Sequence, residues 1–421
     1  MVTPDAFLLA LLAPLALAGL SLINTGLSRS RSASHVITGS LCTASVAILV
    51  YCLFGFAFAG FNGARGHTLV LAGRYWDWLG NGPFFLSGFD FGDLRASGIL
   101  VLQVFSVAFA ALIPVGTLAE RWRLAAACSS TALLAGWVYP VFSHWIWSGW
   151  LAHLGFVDPG GASAIQAVGG LAALSLAWIA GPRRGKFSSD GVPAAMPGHN
   201  AVIVLFGCML AFPGWLGLNL AGAALFSGAG PESLVLTAIN TALSASAAAF
   251  TCLVTTRIRF GRPDASLIAN GWIGGLVASG AVALFIAPPV AIVVGAIAGF
   301  LIVLSVETIE LRLRIDDPSG GISVHAVTGL WSCLAAGIWA HRPMEMSARI
   351  GQFAAQLAGI ATLIGCIFPL LYSLNWILGH LLPHRIESEG EQQGIDLFEL
   401  GAGAYPEFVT HREDLLRRPL E

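Results

Sequence analysis

Long apolar runs broken by short polar joints organise this chain. A helix needs about 20 apolar residues to cross a hydrocarbon core, and runs of that length recur from end to end. Eleven spans are expected, near 6–28, 36–60, 97–119, 124–143, 162–181, 200–226, 234–256, 265–285, 288–306, 324–341 and 351–380. The split around "APPV" (287–290) is the weakest, because a single helical hairpin there changes the count. The expected fold class is an all-α polytopic membrane protein.

Arginine and lysine sort the joints. Those after spans 1, 3, 5, 7 and 9 carry Arg29 and Arg31; Arg121 and Arg123; Arg183, Arg184 and Lys186; Arg257, Arg259 and Arg262; Arg312 and Arg314. Those after spans 4, 6 and 8 carry none. The positive-inside bias places the odd joints in the cytoplasm. The N-terminus is then outside, and the tail from about Leu381 is inside. An odd number of spans satisfies this. The joint 61–96 is external, and its Gly, Trp and Phe suit a packed vestibule wall better than a floppy loop.

Composition agrees. The 421 residues are 56% hydrophobic and 10% charged, with a mean hydropathy of +0.77; soluble chains carry about 25% charged residues. Lys186 is the one lysine. The 50 glycines and abundant alanines let helices approach closely in lipid. No basic segment precedes the first apolar run, so it is expected to remain as a helix rather than be cleaved. The seven cysteines lie in apolar runs without a CxxC, as small buried hydrophobes do. A net charge of −2 gives no nucleic-acid footprint. HExxH, P-loop, GxSxG and metal-spaced Cys/His patterns do not occur, and His144 and His153 fit no common metal spacing. No enzyme, cofactor or metal site is expected.

One phrase occurs twice. "DPGGASAIQAVGGL" begins at Asp158 and "DPSGGISVHAVTGL" at Asp317. Gln166 and His325 each stand eight residues after their Asp. The phrases open spans 5 and 10. Five spans separate them, so the second copy crosses in the opposite sense. Spans 1–5 and 6–10 form an inverted repeat, halves about 6–181 and 200–341, with the last helix at about 351–380 and a cytoplasmic tail at 381–421. The whole of 1–380 is one transmembrane domain. In such folds the substrate site lies near the midplane where the halves meet, which points to Gln166 and His325. An ionisable group within a span is costly and usually marks a pathway, although a histidine early in a span also occurs as a satisfied interfacial residue. Asp158 and Asp317, each followed by Pro, are helix-cap candidates.

These residues resemble the ammonium transporter/methylammonium permease/Rhesus family over nearly the whole chain. The resemblance rests on "GTLAERWRL", "HWIWSGW", "DPGG…IQAVGGL", "GPRRGKF", "GWLGLN", "DDPSGGISVHAVTG" and the tail "GIDLFELGAGAY". It implies eleven helices, an inverted five-plus-five repeat and one pore in each subunit of a homotrimer. It also implies two facing pore histidines. The second matches His325; the first falls on Gln166. The outer-gate phenylalanines fall on Leu218 and on Ser106, beside Phe105. The recruiting serine falls near Gly222, while the mouth tryptophan is kept as Trp147. Asn219 completes the "GWLGLN" motif, with Asp158, Asp317 and Asn219 expected in structural or recruitment roles. The family's tail packs across subunits and couples to a PII-type signalling protein. Here its His-Gly-Glu reads Leu400-Gly401-Ala402, which weakens that expectation.

The resemblance implies transport of ammonium or ammonia through a narrow apolar pore. A bare charge in hydrocarbon is very expensive, so the cation is gathered at the mouth, where Trp147 offers a cation–π contact of roughly 0.5–2 kcal/mol. An ordinary aromatic-belt position is the alternative for Trp147. Ammonia crosses an apolar bore more cheaply than its cation. Neutral imidazole donates and accepts, so His325 can pass a proton; Gln166 hydrogen-bonds but does not titrate. Proton transfer is therefore expected to be weakened or rerouted. Two rivals stand beside this: a sensing or weakly conducting member, and a channel for another small solute. Sensors carry a signalling domain after span 11, and the roughly 40-residue tail is not expected to form one. "LLRRP" is expected to be solvated or to lie at the lipid surface. The expected location is a bacterial inner membrane.

Overall fold

Residues 4–61, 66–71, 73–340 and 346–405 are described by a computed structural model. Ten helices among them are long and apolar enough to cross a membrane: α1 (Asp5–Leu27), α2 (Ser30–Ala59), α3 (Leu94–Thr117), α4 (Leu124–His153), α5 (Ala162–Ala180), α6 (Ala201–Ser227), α7 (Pro231–Phe260), α9 (Pro288–Arg312), α10 (Ile322–Trp339) and α11 (Arg349–Leu381). The eighth expected span holds a shorter apolar helix, α8 (Ala265–Ser279). Its remaining residues, 280–285, are turns before α9 starts at Pro288. The end of the tenth expected span, His341, and the tail stretch "LLRRP" fall outside the described residues.

Local chemistry starts several helices. Asp93, Asn200 and Asp264 cap α3, α6 and α8 by accepting backbone N–H groups of the first turn. Pro231 and Pro288 open α7 and α9, where a missing N–H is harmless.

The arginine-bearing joints gather at one end of the bundle. Arg29 and Arg183 both pair with Glu120, and Arg183 also binds Asp316 at 2.8 Å. This ties the joints after α1, α3, α5 and α9. Burial alone would raise the Asp316 carboxyl. The Arg183 hydrogen bonds and the Arg121 charge outweigh it and hold it down at about 2.

The tail packs on the same end. Asp396 accepts from the Ser34 (3.1 Å) and His35 (2.7 Å) backbone N–H groups at the start of α2. Glu399 accepts from the Leu124 N–H (3.0 Å) at the start of α4 and lies 2.7 Å from His35 Nε2. Two tail carboxylates thus sit at the positive ends of two spans. Burial pushes the Asp396 carboxyl up. It works against Glu399 too, but the bonds from His35 and Leu124 hold that carboxyl below its ordinary value.

At the other end, the joint 61–96 carries an antiparallel hairpin, β1 (His67–Leu71) and β2 (Arg74–Leu79). Strands there were not expected. Trp145 Nε1 donates to the Trp78 carbonyl (2.8 Å), and Trp76, Trp78, Trp145 and Trp150 share ring contacts. The hairpin is anchored on α4 as a wall, as its aromatic content implies.

Candidate functional site

The repeated phrase starts α5 and α10 in the same way. Gly161 and Gly320, third after their Asp, take φ of 77° and 71°, a region glycine enters without steric cost. Each Asp then folds over the first turn. Asp158 accepts from the backbone N–H of Ala162 (2.7 Å) and Ser163 (2.6 Å) and from the Ser163 hydroxyl (2.5 Å). Asp317 accepts from the N–H of Gly321 (3.1 Å) and Ile322 (2.8 Å) and from the Thr117 hydroxyl (2.9 Å). The backbone bonds fall four and five residues on in both copies. Both opening turns, Ala162–Ala167 and Ile322–Val327, are π-helical.

The two helices then cross at backbone contact. A Cβ on Gly170 would lie 2.3 Å from Ala326 N; one on Gly329 would lie 2.6 Å from the Ala162 carbonyl oxygen. Each glycine is twelfth after its Asp. Each copy therefore receives the other's opening turn, and the approach brings two side chains together. His325 Nδ1 lies 2.7 Å from Gln166 Oε1, with both residues buried. With Oε1 accepting, Nδ1 carries the imidazole proton and Nε2 keeps a free lone pair. Gln166 Nε2 has no hydrogen-bond partner among the described residues. The pair thus offers one donor and one acceptor side by side. Ammonia, with a lone pair and three N–H groups, matches both.

Aromatic rings hold the imidazole. Trp215 stacks on it (centroids 6.4 Å, planes 17° apart), and Phe109 meets it edge-on at 6.0 Å. Beyond it lies a cavity of about 10 Å³, lined by Asn24, Ile113, Asn270, Val324 and His325. That is room for about one water. Asn270 also lines a cavity of about 620 Å³ at the arginine-bearing end, with Arg183, Asp316 and Ser323.

At the hairpin end, Trp147 Nε1 donates to the Asp158 carbonyl (2.8 Å). Its ring lies flat on Phe226, with centroids 4.3 Å and planes 1° apart, and Phe61 stands at 6.4 Å. Gly222, one turn before Phe226, admits the Pro159 carbonyl so closely that a Cβ would lie 1.9 Å from its oxygen. A serine cannot stand at 222 unless the 158–160 turn moves. Leu218 is buried one turn earlier. Asn219 donates to the hydroxyls of Thr241 (3.0 Å) and Ser279 (2.9 Å), tying α6 to α7 and α8. On α3, Ser106 is buried and Phe105 packs half-buried against the hydrophobic core.

Of the expected residues, five fall into two groups; Phe105, Ser106, Leu218, Asn219 and Asp317 lie in the packing described above. Gln166 and His325 meet at the crossing. Trp147 and Gly222 meet the 158–160 turn, which Asp158 ties to the start of α5. Trp215, Phe109 and Phe226 were not singled out from the sequence. A signal for two of them existed: Trp215, Leu218, Asn219, Gly222 and Phe226 stand at i, i+3, i+4, i+7 and i+11, along one helical face.

Comparison with known proteins places the whole chain. A profile described as the Ammonium Transporter Family matches residues 6–405. Ammonium transporter Amt2 of Archaeoglobus fulgidus is 31% identical over 422 residues, 94% of this chain and 86% of its own length. Ammonium transporter 1 member 1 of Oryza sativa subsp. japonica is 31% identical, over 92% of this chain and 82% of its own length. A solved structure named Sensor Amt Protein superposes with a TM-score of 0.85 at 27% identity, covering 94% of this chain and 96% of its own. Candida albicans Mep2, with a TM-score of 0.76 at 22% identity over 91% and 86% of the two chains, shares the fold.

Proposed function

Because the chain belongs to the Ammonium Transporter Family, we propose that this membrane transporter of ammonium passes its substrate as ammonia between Gln166 and His325. The cation is gathered at the hairpin end near Trp147 and gives its proton to solvent water there before the crossing, so ammonia and proton part at the mouth. Ammonia then accepts from Gln166 Nε2 and donates to His325 Nε2. Gln166 does not titrate, so it orients the imidazole and the substrate without serving as a second proton station. Proton transfer is weakened or rerouted relative to a two-histidine pore. The observation that carries this reading is the buried 2.7 Å contact between His325 and Gln166 at the glycine crossing.

The arginine-bearing end is the cytoplasmic one, with the N-terminus outside, in a bacterial inner membrane. Residues 1–380 act as the pore domain and 381–421 as a cytoplasmic tail. The chain works as a homotrimer with one pore per subunit. Leu400 and Ala402 make the tail a poor match for a PII-type partner.

The test is the current evoked by an ammonium pulse in proteoliposomes, with wild type beside His325→Ala. A wild-type current that the substitution abolishes supports a route through His325. A current that His325→Ala leaves intact removes the imidazole from the route.

A sensing or weakly conducting role is the second reading. Phe226 covers one face of the Trp147 indole, and the chain is similar to the structure named Sensor Amt Protein. Well-folded protein that binds ammonium but gives neither current nor uptake favours it.

A further inference from the structure

The arginine-bearing ends of α5 and α11 lie side by side, and a cavity of about 640 Å³ opens beneath them, lined by Pro182, Arg184, Gly185, Arg385 and Ser388. Arg385 Nη1 donates to the Ala180 carbonyl (3.2 Å), which fixes its guanidinium at the end of α5. Glu391, buried behind it, takes its other bonds at 2.7 and 3.2 Å. Arg184 is less satisfied. Its side chain is 47% exposed, its Nη2 reaches the Ser388 hydroxyl, and its nearest carboxylate contact is Glu391 at 3.9 Å. Glu387, at the rim, is engaged by Arg123. A positive charge therefore faces the cavity without a full counter-ion.

The surroundings say where the counter-ion comes from. Trp178, two residues before the end of α5, is 61% exposed. Trp376, five before the end of α11, is 51% exposed, and Leu381 is 79% exposed. Tyr372 of α11 meets Trp178 with ring centroids 6.2 Å apart. Exposed tryptophans at span ends are the pattern of an aromatic belt at headgroup level. The cavity thus has guanidinium groups in its lining, and the two spans that end beside it carry exposed indoles within two turns of those ends. Basic pockets between spans on the cytoplasmic side recognise anionic headgroups.

We infer that this groove is a binding site for an anionic phospholipid, its phosphodiester held by Arg184 and Arg385 and its acyl chains lying beside Trp178 and Trp376. The lipid would brace the joint after α5 against the tail, adding to the contacts that Arg184 and Arg385 make with Ser388 and Glu391.

The test uses the full chain in detergent, with native mass spectrometry and thermal melting in phosphatidylglycerol, phosphatidylcholine or inorganic phosphate. Phosphatidylglycerol should be retained and raise the melting temperature, while phosphatidylcholine should do neither as strongly. Arg184→Gln should weaken phosphatidylglycerol binding roughly fivefold, the loss expected for one arginine at the surface, and Arg184→Lys should restore most of it. Wild-type phosphatidylglycerol binding in Arg184→Gln overturns the site. So does equal retention of phosphatidylcholine, or an equal melting shift with inorganic phosphate. If Arg184→Gln misfolds, Trp178→Ala combined with Trp376→Ala takes its place; phosphatidylglycerol retention that survives the pair overturns the proposal.

Discussion

Replacing Gly170 with alanine puts one methyl group where α10 begins. The new Cβ would stand 2.3 Å from Ala326 N and 2.8 Å from Ala326 Cβ, whereas ordinary contact needs about 3.5–4.0 Å. Neither atom is the flexible end of a side chain, so α5 and α10 must part by roughly 1 Å. Ala326 follows His325 directly, and the displacement is delivered to the imidazole. The 2.7 Å bond to Gln166 then stretches toward or past the roughly 3.5 Å at which a hydrogen bond is lost. Overpacking costs about 1–3 kcal/mol, and the lost bond adds about 0.5–1.5 kcal/mol. Melting of the purified protein should fall accordingly, and ammonium uptake into proteoliposomes should drop tenfold or more.

Gly329→Ala should behave alike, since its Cβ would meet the Ala162 carbonyl oxygen at 2.6 Å and Ala167 N at 3.1 Å, beside Gln166. The double variant should lose less than the sum, because one separation of the helices relieves both clashes. Gly365→Ala, where a Cβ meets nothing within 4 Å, is the control. A Gly170→Ala protein that melts and transports like wild type would refute the crossing as the device that assembles the site.

Two further outcomes follow from the geometry. Phe226→Ala uncovers a face of Trp147, so the ammonium concentration for half-maximal uptake should fall about two- to fivefold, the worth of an exposed cation–π contact; adding Trp147→Ala should cancel the gain, and an unchanged half-saturation rules the idea out. Asp316 titrates at about 2 in the fold and near 3.9 when unfolded. Its pairing therefore stabilises the protein above about pH 4 and is lost as pH falls toward 2, a contribution of ~2 kcal/mol. Melting temperature against pH, compared with Asp316→Asn, should show a shallower fall in that window for the variant.

Span positions, the repeat and the clustering of arginine joints were legible because each is one-dimensional. A run of apolar residues needs no partner to be recognised, and neither does a charge bias or a repeated phrase. The eighth span shows where this stops. Hydropathy continues to residue 285, but the helix ends at Ser279 because Gly280 is a docking point: its carbonyl accepts from Gly160 N at 2.9 Å, and the Ala281 N–H goes to the Ser332 hydroxyl at 3.0 Å. Those partners come from the other repeat half or from a distant helix. Trp215 and Phe226 were hidden for a different reason. α6 is apolar nearly all round, so the face that aligns Trp215 and Phe226 with Asn219 and Gly222 stands out only weakly against the rest of the helix. Trp76 and Trp78 do alternate at the strand period, but a lone two-stranded hairpin is marginal, and the α4 anchor that holds this one is not visible in the sequence.

The repeat also explains why its eighth residue can change. Everything that sets the crossing is backbone chemistry shared by both copies: the Asp bonds to the N–H groups four and five residues on, the left-handed glycine, and the glycine that admits the opposing turn. None of these devices involves the side chain at 166 or 325. The fold therefore delivers any side chain at position eight to the same spot at the crossing, and chemistry there can change while the scaffold stays intact. On the function proposed above, glutamine opposite His325 keeps donor and acceptor geometry for ammonia and removes one of two proton stations. What the pore carries and how its proton travels are thereby separable. The first belongs to the crossing, and the second to the single side chain that the repeat leaves free.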